Sequence, residues 1–117
     1  MAKLSPKKVA DRARERIKGI QDALASLDYL CSGTILRSLM KCGKENCRCH
    51  VDPEARHGPY YRWGHMKNGK LVHRYVSPDQ AEILSQAIAN FRKAKKLMLE
   101  WEEETERLLD AETKPKS

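Results

Sequence analysis

The sequence predicts an α+β fold in which two long helices flank a small three-stranded antiparallel sheet, in the order α-β-β-β-α. Three observations support this prediction. Apolar residues recur at helical spacing near both ends of the chain, an Asn-Gly turn signal lies between two alternating segments, and three cysteines and a histidine cluster before that turn. The 117 residues have room for one modest domain, so residues 1–117 are expected to fold as a single domain.

The first helix is predicted over residues 6–30. Ser5 is a suitable N-cap, and Pro6 occupies the first helical position, where its missing N–H costs nothing. The apolar residues that follow alternate in spacing between three and four, as in a coiled-coil seam. They are Ala10, Ala13, Ile17, Ile20, Leu24 and Leu27. The helix should end before Gly33.

The last helix is predicted over residues 78–111, and residues 112–117 are expected to form a flexible tail. Ser77 and Gln80 have the spacing of a capping box, with Pro78 at the first helical position. Its apolar seam also alternates in spacing between three and four, and runs through Leu84, Ala87, Phe91, Ala94, Met98, Trp101, Thr105 and Leu108.

The two helical seams can be satisfied in two ways. They can pack on each other as an antiparallel stalk, or each can pair with a second chain in a dimeric coiled coil. If the stalk places residue 30 beside residue 78, Arg16 lies near Arg92 and Lys93, because both helices rise equally per residue. Such crowding of like charge costs stability unless something anionic screens it.

Residues 33–76 are predicted to form a β module. Residues 34–41 are β-branched at their start and form a plausible strand. Residues 60–66 and 71–76 flank Asn68-Gly69, and Asn-Gly between two such segments is the strongest short-range hairpin signal. With a two-residue turn, residue 66 faces 71, 63 faces 74 and 61 faces 76.

Alternation along this hairpin separates two faces. We expect the face with Trp63 to be buried; it also carries Tyr61, His65, Val72, Arg74 and Val76. We expect the other face to be more open to solvent; it carries Tyr60, Arg62, Met66, Leu71, His73 and Tyr75.

The cysteine cluster has the composition of a metal site. Cys42, Cys47, Cys49 and His57 supply three sulfurs and one ring nitrogen, the ligands that Zn²⁺ favours in closed structural sites. Cys47 and Cys49 are too close in sequence for an ordinary disulfide. A structural Zn²⁺ cofactor at these four residues would join the end of the first strand to the start of the second.

Alternatives to this ligand set remain. His50 could replace His57, although it directly follows Cys49 and its geometry is awkward. His65 and His73 belong to the hairpin and are more often ordinary strand histidines. Cys31 is expected to be a small buried apolar residue. Three unrelated free thiols are the simplest competing interpretation of the cluster.

The charge of the chain is unevenly placed. The formal net charge is +7, and residues 31–76 alone carry nine basic and three acidic side chains. A basic excess in a small chain favours a polyanionic partner, although it can serve solubility alone. Cations can contact phosphates, and flat rings can stack on unpaired bases. The predicted nucleic-acid-binding residues, for DNA or RNA, are Lys44, Arg48, Arg62, Lys67, Lys70, His73, Arg74, Tyr75, Arg92, Lys93, Lys95 and Lys96.

Several short motifs carry a resemblance to a known family. They include Cys42-Gly43-Lys44, Cys47-Arg48-Cys49 and His57-Gly58-Pro59-Tyr60-Tyr61. The segment from about residue 30 to 100 resembles a family of small uncharacterised bacterial proteins with a CGK-x-x-C-x-C…HGPYY signature followed by a long helix. The resemblance implies that the four candidate ligands act as a unit. Some members occur near transposase-like genes, which implies a role in a mobile-element or defence-type system.

Three classes of function can be weighed on this basis. The first is a non-catalytic, zinc-stabilised nucleic-acid-binding accessory or regulatory protein. The second is an adaptor that docks through its helices on a larger nucleoprotein partner or on a second copy, as a homodimer. An enzyme is not expected, because the sequence offers no nucleophile–base pair, paired acids or phosphate loop. No segment is apolar enough to span a membrane or to serve as a secretory signal, so a cytoplasmic location is expected.

Overall fold

The predicted α-β-β-β-α order is confirmed by the computed structural model, which describes residues 5–112 of the chain. The elements are helix α1 (Pro6–Ala25), strands β1 (Thr34–Met40), β2 (His57–Lys67) and β3 (Lys70–Val76), and helix α2 (Pro78–Glu112). Two short 3₁₀ turns, Arg48–His50 and Pro53–Ala55, lie between β1 and β2. Of the expected tail, all but residue 112 lies outside the described residues. Within the described part, neither α1 nor α2 contains an apolar stretch of the length that a membrane crossing requires.

The contacts divide the chain into two compact units. Residues 29–90 form one, here called the sheet unit, which includes the three strands and the first turns of α2. The described residues before 29 and after 90 form the other, here called the helical unit, which includes α1 and the rest of α2.

Helix α1 begins as predicted and ends five residues earlier than expected. The N–H of Lys8 donates to Ser5 Oγ at 3.3 Å, which is the predicted N-cap. At the other end, the N–H of Ser26 donates to the Asp22 carbonyl at 3.1 Å, and its hydroxyl donates to the Ala23 carbonyl at 2.6 Å. These bonds satisfy carbonyls of the last turn and close the helix at Ala25.

The residues that follow α1 take hydrogen-bond partners on α2 within the sheet unit. Asn90 Nδ2 donates to the Tyr29 carbonyl at 2.8 Å, and the N–H of Cys31 donates to the Ala87 carbonyl at 3.3 Å. Backbone groups used in this way are not available for a continuing helix. The helix predicted to residue 30 therefore stops short because a tertiary contact prevails over local propensity.

In the helical unit, Glu104 is buried with an exposure of 6% and binds two arginines. Arg16 Nη1 lies 3.7 Å from one carboxylate oxygen, and Arg107 donates to the other. The predicted alignment of Arg16 with Arg92 and Lys93 is therefore wrong by about three turns, or about 18 Å along the helix axis. The reason is that residues 26–33 do not extend α1. The coiled-coil geometry itself stays a prediction.

The three strands pair in the order β1-β2-β3, and both pairs are antiparallel. The predicted hairpin register is confirmed, since Tyr61 faces Val76 and Met66 faces Leu71. Ser77 and Gln80 then form the predicted capping box at the start of α2. The N–H of Ser77 donates to Gln80 Oε1 at 2.8 Å, and the N–H of Gln80 donates to Ser77 Oγ at 3.1 Å.

The small core of the sheet unit lies between the Trp63 face and the start of α2. Val76, Ala81 and Leu84 are buried there, and the partly buried side chains packed on them are Cys31, Ile35, Tyr61 and Trp63. The expectation that this face is the buried one is confirmed. Cys31 packs on the core as expected, although it is only half-buried.

Gly33 lies where the chain enters β1 and approaches β2 closely. Its φ is +116°, a conformation that L side chains rarely adopt. A Cβ atom at this position would lie 2.3 Å from the Gly64 carbonyl oxygen and 2.7 Å from Trp63 Nε1, which donates to the Ser32 carbonyl. Glycine is therefore required here by both backbone conformation and space.

Replacing Gly33 with alanine should lower the free energy of unfolding by at least about 2 kcal/mol, because it adds both strain and a clash with backbone. Gly19→Ala is a matched control, since no atom lies within 4 Å of its added Cβ and it sits inside α1. That change should stabilise α1 by about 1 kcal/mol. Urea unfolding followed by circular dichroism measures both, and equal effects of the two changes would contradict the requirement at Gly33.

Candidate metal centre and open sheet face

Four potential metal ligands meet between the end of β1 and the start of β2. They are Cys42, Cys47, Cys49 and His57, and their ligating atoms all lie within 4.8 Å of one another. Cys42 Sγ lies 3.6 Å from Cys49 Sγ, and Cys47 Sγ lies 3.3 Å from His57 Nε2. With bonds of about 2.0–2.3 Å to a tetrahedral ion, such atoms would lie roughly 3.3–3.8 Å apart. These two separations match a shared ion, and any pair near the 4.8 Å limit would have to close by about 1 Å around it.

A bulge in the β1–β2 pair brings His57 to this place. Ser38 faces Tyr60 and Met40 faces His57, so one residue of β1 lies opposite two residues of β2. Gly58, one of those two, has a φ of +120°, and an added Cβ would lie 2.9 Å from the Ser38 carbonyl oxygen. Bulges of this kind redirect the adjacent side chain. His57 consequently lies beside the last residue of β1, two residues before Cys42.

The loop between Cys42 and His57 folds around Cys49, which has no exposed surface. The N–H of Cys47 donates to the Lys44 carbonyl, and the N–H of His50 donates to the Cys47 carbonyl, each at 3.1 Å. Two successive turns therefore place the sulfurs of Cys47 and Cys49 on the same side as Cys42. Cys42 and Cys47 are partly buried and His57 is exposed.

Backbone N–H groups stabilise negative charge on two of the sulfurs. The N–H of Cys42 donates to Cys49 Sγ at 3.3 Å. A backbone hydrogen bond from Cys49, followed by a hydrogen bond with His57, lowers the pKa of Cys47 to about 6. Burial raises the pKa of Cys49, so a metal ion that binds this sulfur would have to displace the thiol proton into solvent. The donor pattern suits thiolates that share a metal ion.

The other candidate ligands have different partners. His50 Nε2 lies 2.9 Å from the Cys42 carbonyl oxygen, so its ring contacts backbone rather than sulfur. The ring of His65 stacks on Trp63 with centroids 3.6 Å apart, and His73 is exposed. Cys31 packs on the apolar core. Of the ligand sets that the sequence left open, the structure brings together the one with His57.

The predicted nucleic-acid-binding residues do not share one surface. Arg62, His73 and Tyr75 lie on the solvent-facing side of the sheet, here called the open face, where Arg62 faces Tyr75 across the strands. Arg74 faces Trp63 and lies on the opposite side. The remaining residues occupy three further places. Lys67 and Lys70 face each other at the end of the hairpin. Lys44 and Arg48 lie in the loop between Cys42 and His57, here called the cysteine loop. The four residues on α2 in the helical unit are Arg92, Lys93, Lys95 and Lys96.

The basic residues predicted to bind nucleic acid also differ in the side chains that they contact. Arg48 is held by Asp52, with Nη2 and Oδ2 3.1 Å apart, so part of its charge is already matched. Lys95 Nζ lies 5.9 Å from the centre of the Phe91 ring, a cation–π distance. Arg62 lies on a face formed by strands that carry no acidic residue.

The open face contains a hollow that alternation alone did not predict. Met40, Lys41, Tyr60 and Tyr75 line a space of about 360 Å³. The two tyrosine rings are arranged edge to face, with centroids 6.4 Å apart and an angle of 74° between planes. The bulge at Gly58 sets the position of Tyr60 relative to Met40, and no sequence pattern indicated that bulge.

The chain was also compared with known proteins. Searches of curated proteins and of solved structures find no match to it. The profile of a family described as Domain of unknown function (DUF6788) matches residues 10–85, more than half of the chain and including all four candidate ligands. The chain therefore belongs to this uncharacterised domain family.

Proposed function

We propose that the protein is a non-catalytic nucleic-acid-binding protein whose sheet is stabilised by a bound Zn²⁺ ion. The observation that carries the proposal is the composition of the sheet. Its three strands contain five Lys and Arg residues and no Asp or Glu, and its open face exposes tyrosine, arginine and histidine together. A basic, ring-bearing surface of this kind suits a polyanion that has flat bases.

Zinc is the ion that best fits the four ligands. Three thiolates and one imidazole favour Zn²⁺ among the common ions, and Mg²⁺ and Ca²⁺ prefer oxygen. Cys42, Cys47, Cys49 and His57 would fill all four tetrahedral positions. No position would then remain for a substrate or an activated water, which supports a structural rather than catalytic role. Such an ion would tie β1 to β2 through both ends of the cysteine loop.

The sheet unit keeps a positive net charge when the proposed ion is bound. Three thiolates and Zn²⁺ together contribute about one negative charge. Residues 31–76 carry nine basic and three acidic side chains, so the excess of positive charge persists when the ion is bound. Long-range attraction of a phosphate backbone is the expected result.

The biological setting is the least specific part of the proposal. An accessory or regulatory role in a mobile-element or defence-type system, in the cytoplasm, rests only on the resemblance of the sequence motifs. DNA and RNA are both compatible with the open face.

A second candidate function is docking of the helical unit on another protein, and a groove on that unit favours it. Leu24, Met98, Trp101 and Thr105 line most of an open groove of about 700 Å³, and Met98 is 55% exposed. The basic segment 92–96 precedes the acidic segment 100–106 on the same helix. An antiparallel second copy of the chain would place each charged segment opposite the segment of opposite charge. A larger protein partner is the alternative occupant of the groove.

Removing one proposed ligand should release the ion and weaken the sheet. Cys49→Ser should lower the zinc content well below one ion per chain and reduce the melting temperature, because structural zinc contributes on the order of 10 kcal/mol in small zinc-dependent folds. Elemental analysis and circular dichroism measure the two effects. Cys31→Ser is the control outside the cluster and should keep its zinc.

Substitutions of two histidines test which imidazole binds the ion. His57→Ala should lose zinc, whereas His50→Ala should retain one ion per chain, because His50 contacts a carbonyl oxygen. If the wild-type protein melts identically with and without the metal, or if His50 proves to be the required ring, the proposed centre is refuted.

Binding to nucleic acid should weaken steeply as salt is added. Between about 50 and about 200 mM salt, the affinity for random-sequence oligonucleotides should fall with a linear log–log slope, because phosphate contacts release counterions. Arg62→Gln should make the slope shallower by about 0.7–0.9. Lys18→Gln, an exposed cation on α1, should leave the slope unchanged. Fluorescence anisotropy measures the slope, and affinity that is indifferent to salt would count against nucleic-acid binding.

The docking alternative predicts a mass that depends on concentration. Multi-angle light scattering should then approach twice 13.5 kDa for the wild-type protein, and Met98→Glu should restore the monomer by placing a charge in the groove. Ile83→Glu changes a comparably exposed residue in the sheet unit and should have no effect. A monomer at every concentration would exclude a second copy as the occupant.

A further inference from the structure

We propose that the open face binds single-stranded nucleic acid and that the hollow lined by Met40, Lys41, Tyr60 and Tyr75 receives one unpaired base. The inference deepens the proposed function and rests on it, since it names the form of nucleic acid and the place where a base is held.

The hollow has the size and walls that a planar ring requires. Its volume of about 360 Å³ falls at the small end of the range of ligand sites. Two tyrosine rings at 74° to each other provide one face for stacking and one edge for a lateral contact. Met40 supplies an apolar side, and Lys41 supplies a cation at the rim. A base could stack inside while its phosphate stays outside near the ammonium group.

The apolar core does not account for these rings. Tyr61 and Trp63, on the core face of the same strand, already pack on Val76 and Leu84. Tyr60 and Tyr75 point the other way and are 42% and 61% exposed. An exposed aromatic ring can stack on a base, and stacking tolerates any base because every base has a π-face.

Charge on the same face matches a strand that passes over the hollow. Arg62 faces Tyr75 directly across β2 and β3, so a cation lies beside the second ring. No strand of the sheet contributes a carboxylate that would repel phosphate. Lys41 and Arg62 therefore offer two contacts for the phosphates of a strand whose base lies against the two tyrosine rings.

A duplex does not fit this arrangement. Bases in a duplex are paired and stacked, and entry of one into the hollow would require it to be flipped out, with the loss of its pairing and stacking. The open face also exposes the apolar side chain of Leu36, opposite Arg62, which an unstacked base can contact more readily than a phosphate can. Single strands are consequently favoured over double strands.

The test compares a short labelled oligothymidylate with the matching duplex, using the zinc-loaded full chain and fluorescence anisotropy. The single strand should bind about tenfold more tightly than the duplex, in line with the stacking of one base. Tyr75→Ala should weaken single-strand binding about tenfold, while Tyr75→Phe retains the ring and should stay within about twofold of wild type. Lys41→Gln should make the salt slope shallower by about 0.7.

Leu71→Ala is the matched control, because Leu71 lies on the same strand and face and is exposed to the same extent as Tyr75, at 61%. It should change the affinity by less than about twofold. Equal losses for Leu71→Ala and Tyr75→Ala would overturn the hollow as the base site. Equal or tighter binding of the duplex would overturn the single-strand preference while leaving salt-dependent nucleic-acid binding intact. Absence of binding to either form would reject the proposed function as well, and would point to a protein partner for the open face.

Discussion

The meeting of three sulfurs and one imidazole between β1 and β2 is the constraint on which the rest of the sheet unit depends. Apolar burial in this unit is modest, and Cys49, itself one of the four, is the largest side chain described as fully buried. A core of this size provides little apolar burial against the entropy of ordering three strands and a long loop. Shared ligation of an ion would hold both ends of that loop and leave one sheet face free. With the ion bound as proposed, the opposite face and the cluster would stabilise the sheet unit while the open face stays exposed to solvent.

Local signals in the sequence predicted most of the architecture. The Ser5 cap, the Ser77–Gln80 capping box and the Asn68-Gly69 turn each depend on residues within four positions of one another, and all are present. The end of α1 was predicted incorrectly because it is set by bonds between residues sixty apart, such as Asn90 to Tyr29. The predicted neighbours of Arg16 on α2 depend on where α1 ends. Because α1 ends early, Arg16 lies beside Glu104 and not beside Arg92 and Lys93.

The candidate site could be predicted in composition and only partly in geometry. Residue type and clustering were enough to select the three cysteines, and the choice of His57 over His50 depends on a bulge that follows from the Gly58 backbone. Alternation placed Arg62 and Tyr75 on one face correctly. The hollow was missed because it combines Met40 from β1 with Tyr60 across that same bulge, a juxtaposition that no periodic pattern encodes.

The walls of the hollow are attached to the cluster by very short lengths of chain. Met40 and Lys41 directly precede Cys42, and Tyr60 follows His57 by three residues. Oxidation of a sulfur would remove a candidate ligand, and the two segments would then be joined only by the pairing of β1 with β2. Because the hollow and the candidate ligands share this short stretch of backbone, peroxide or another thiol oxidant would disturb the walls of the hollow together with the cluster.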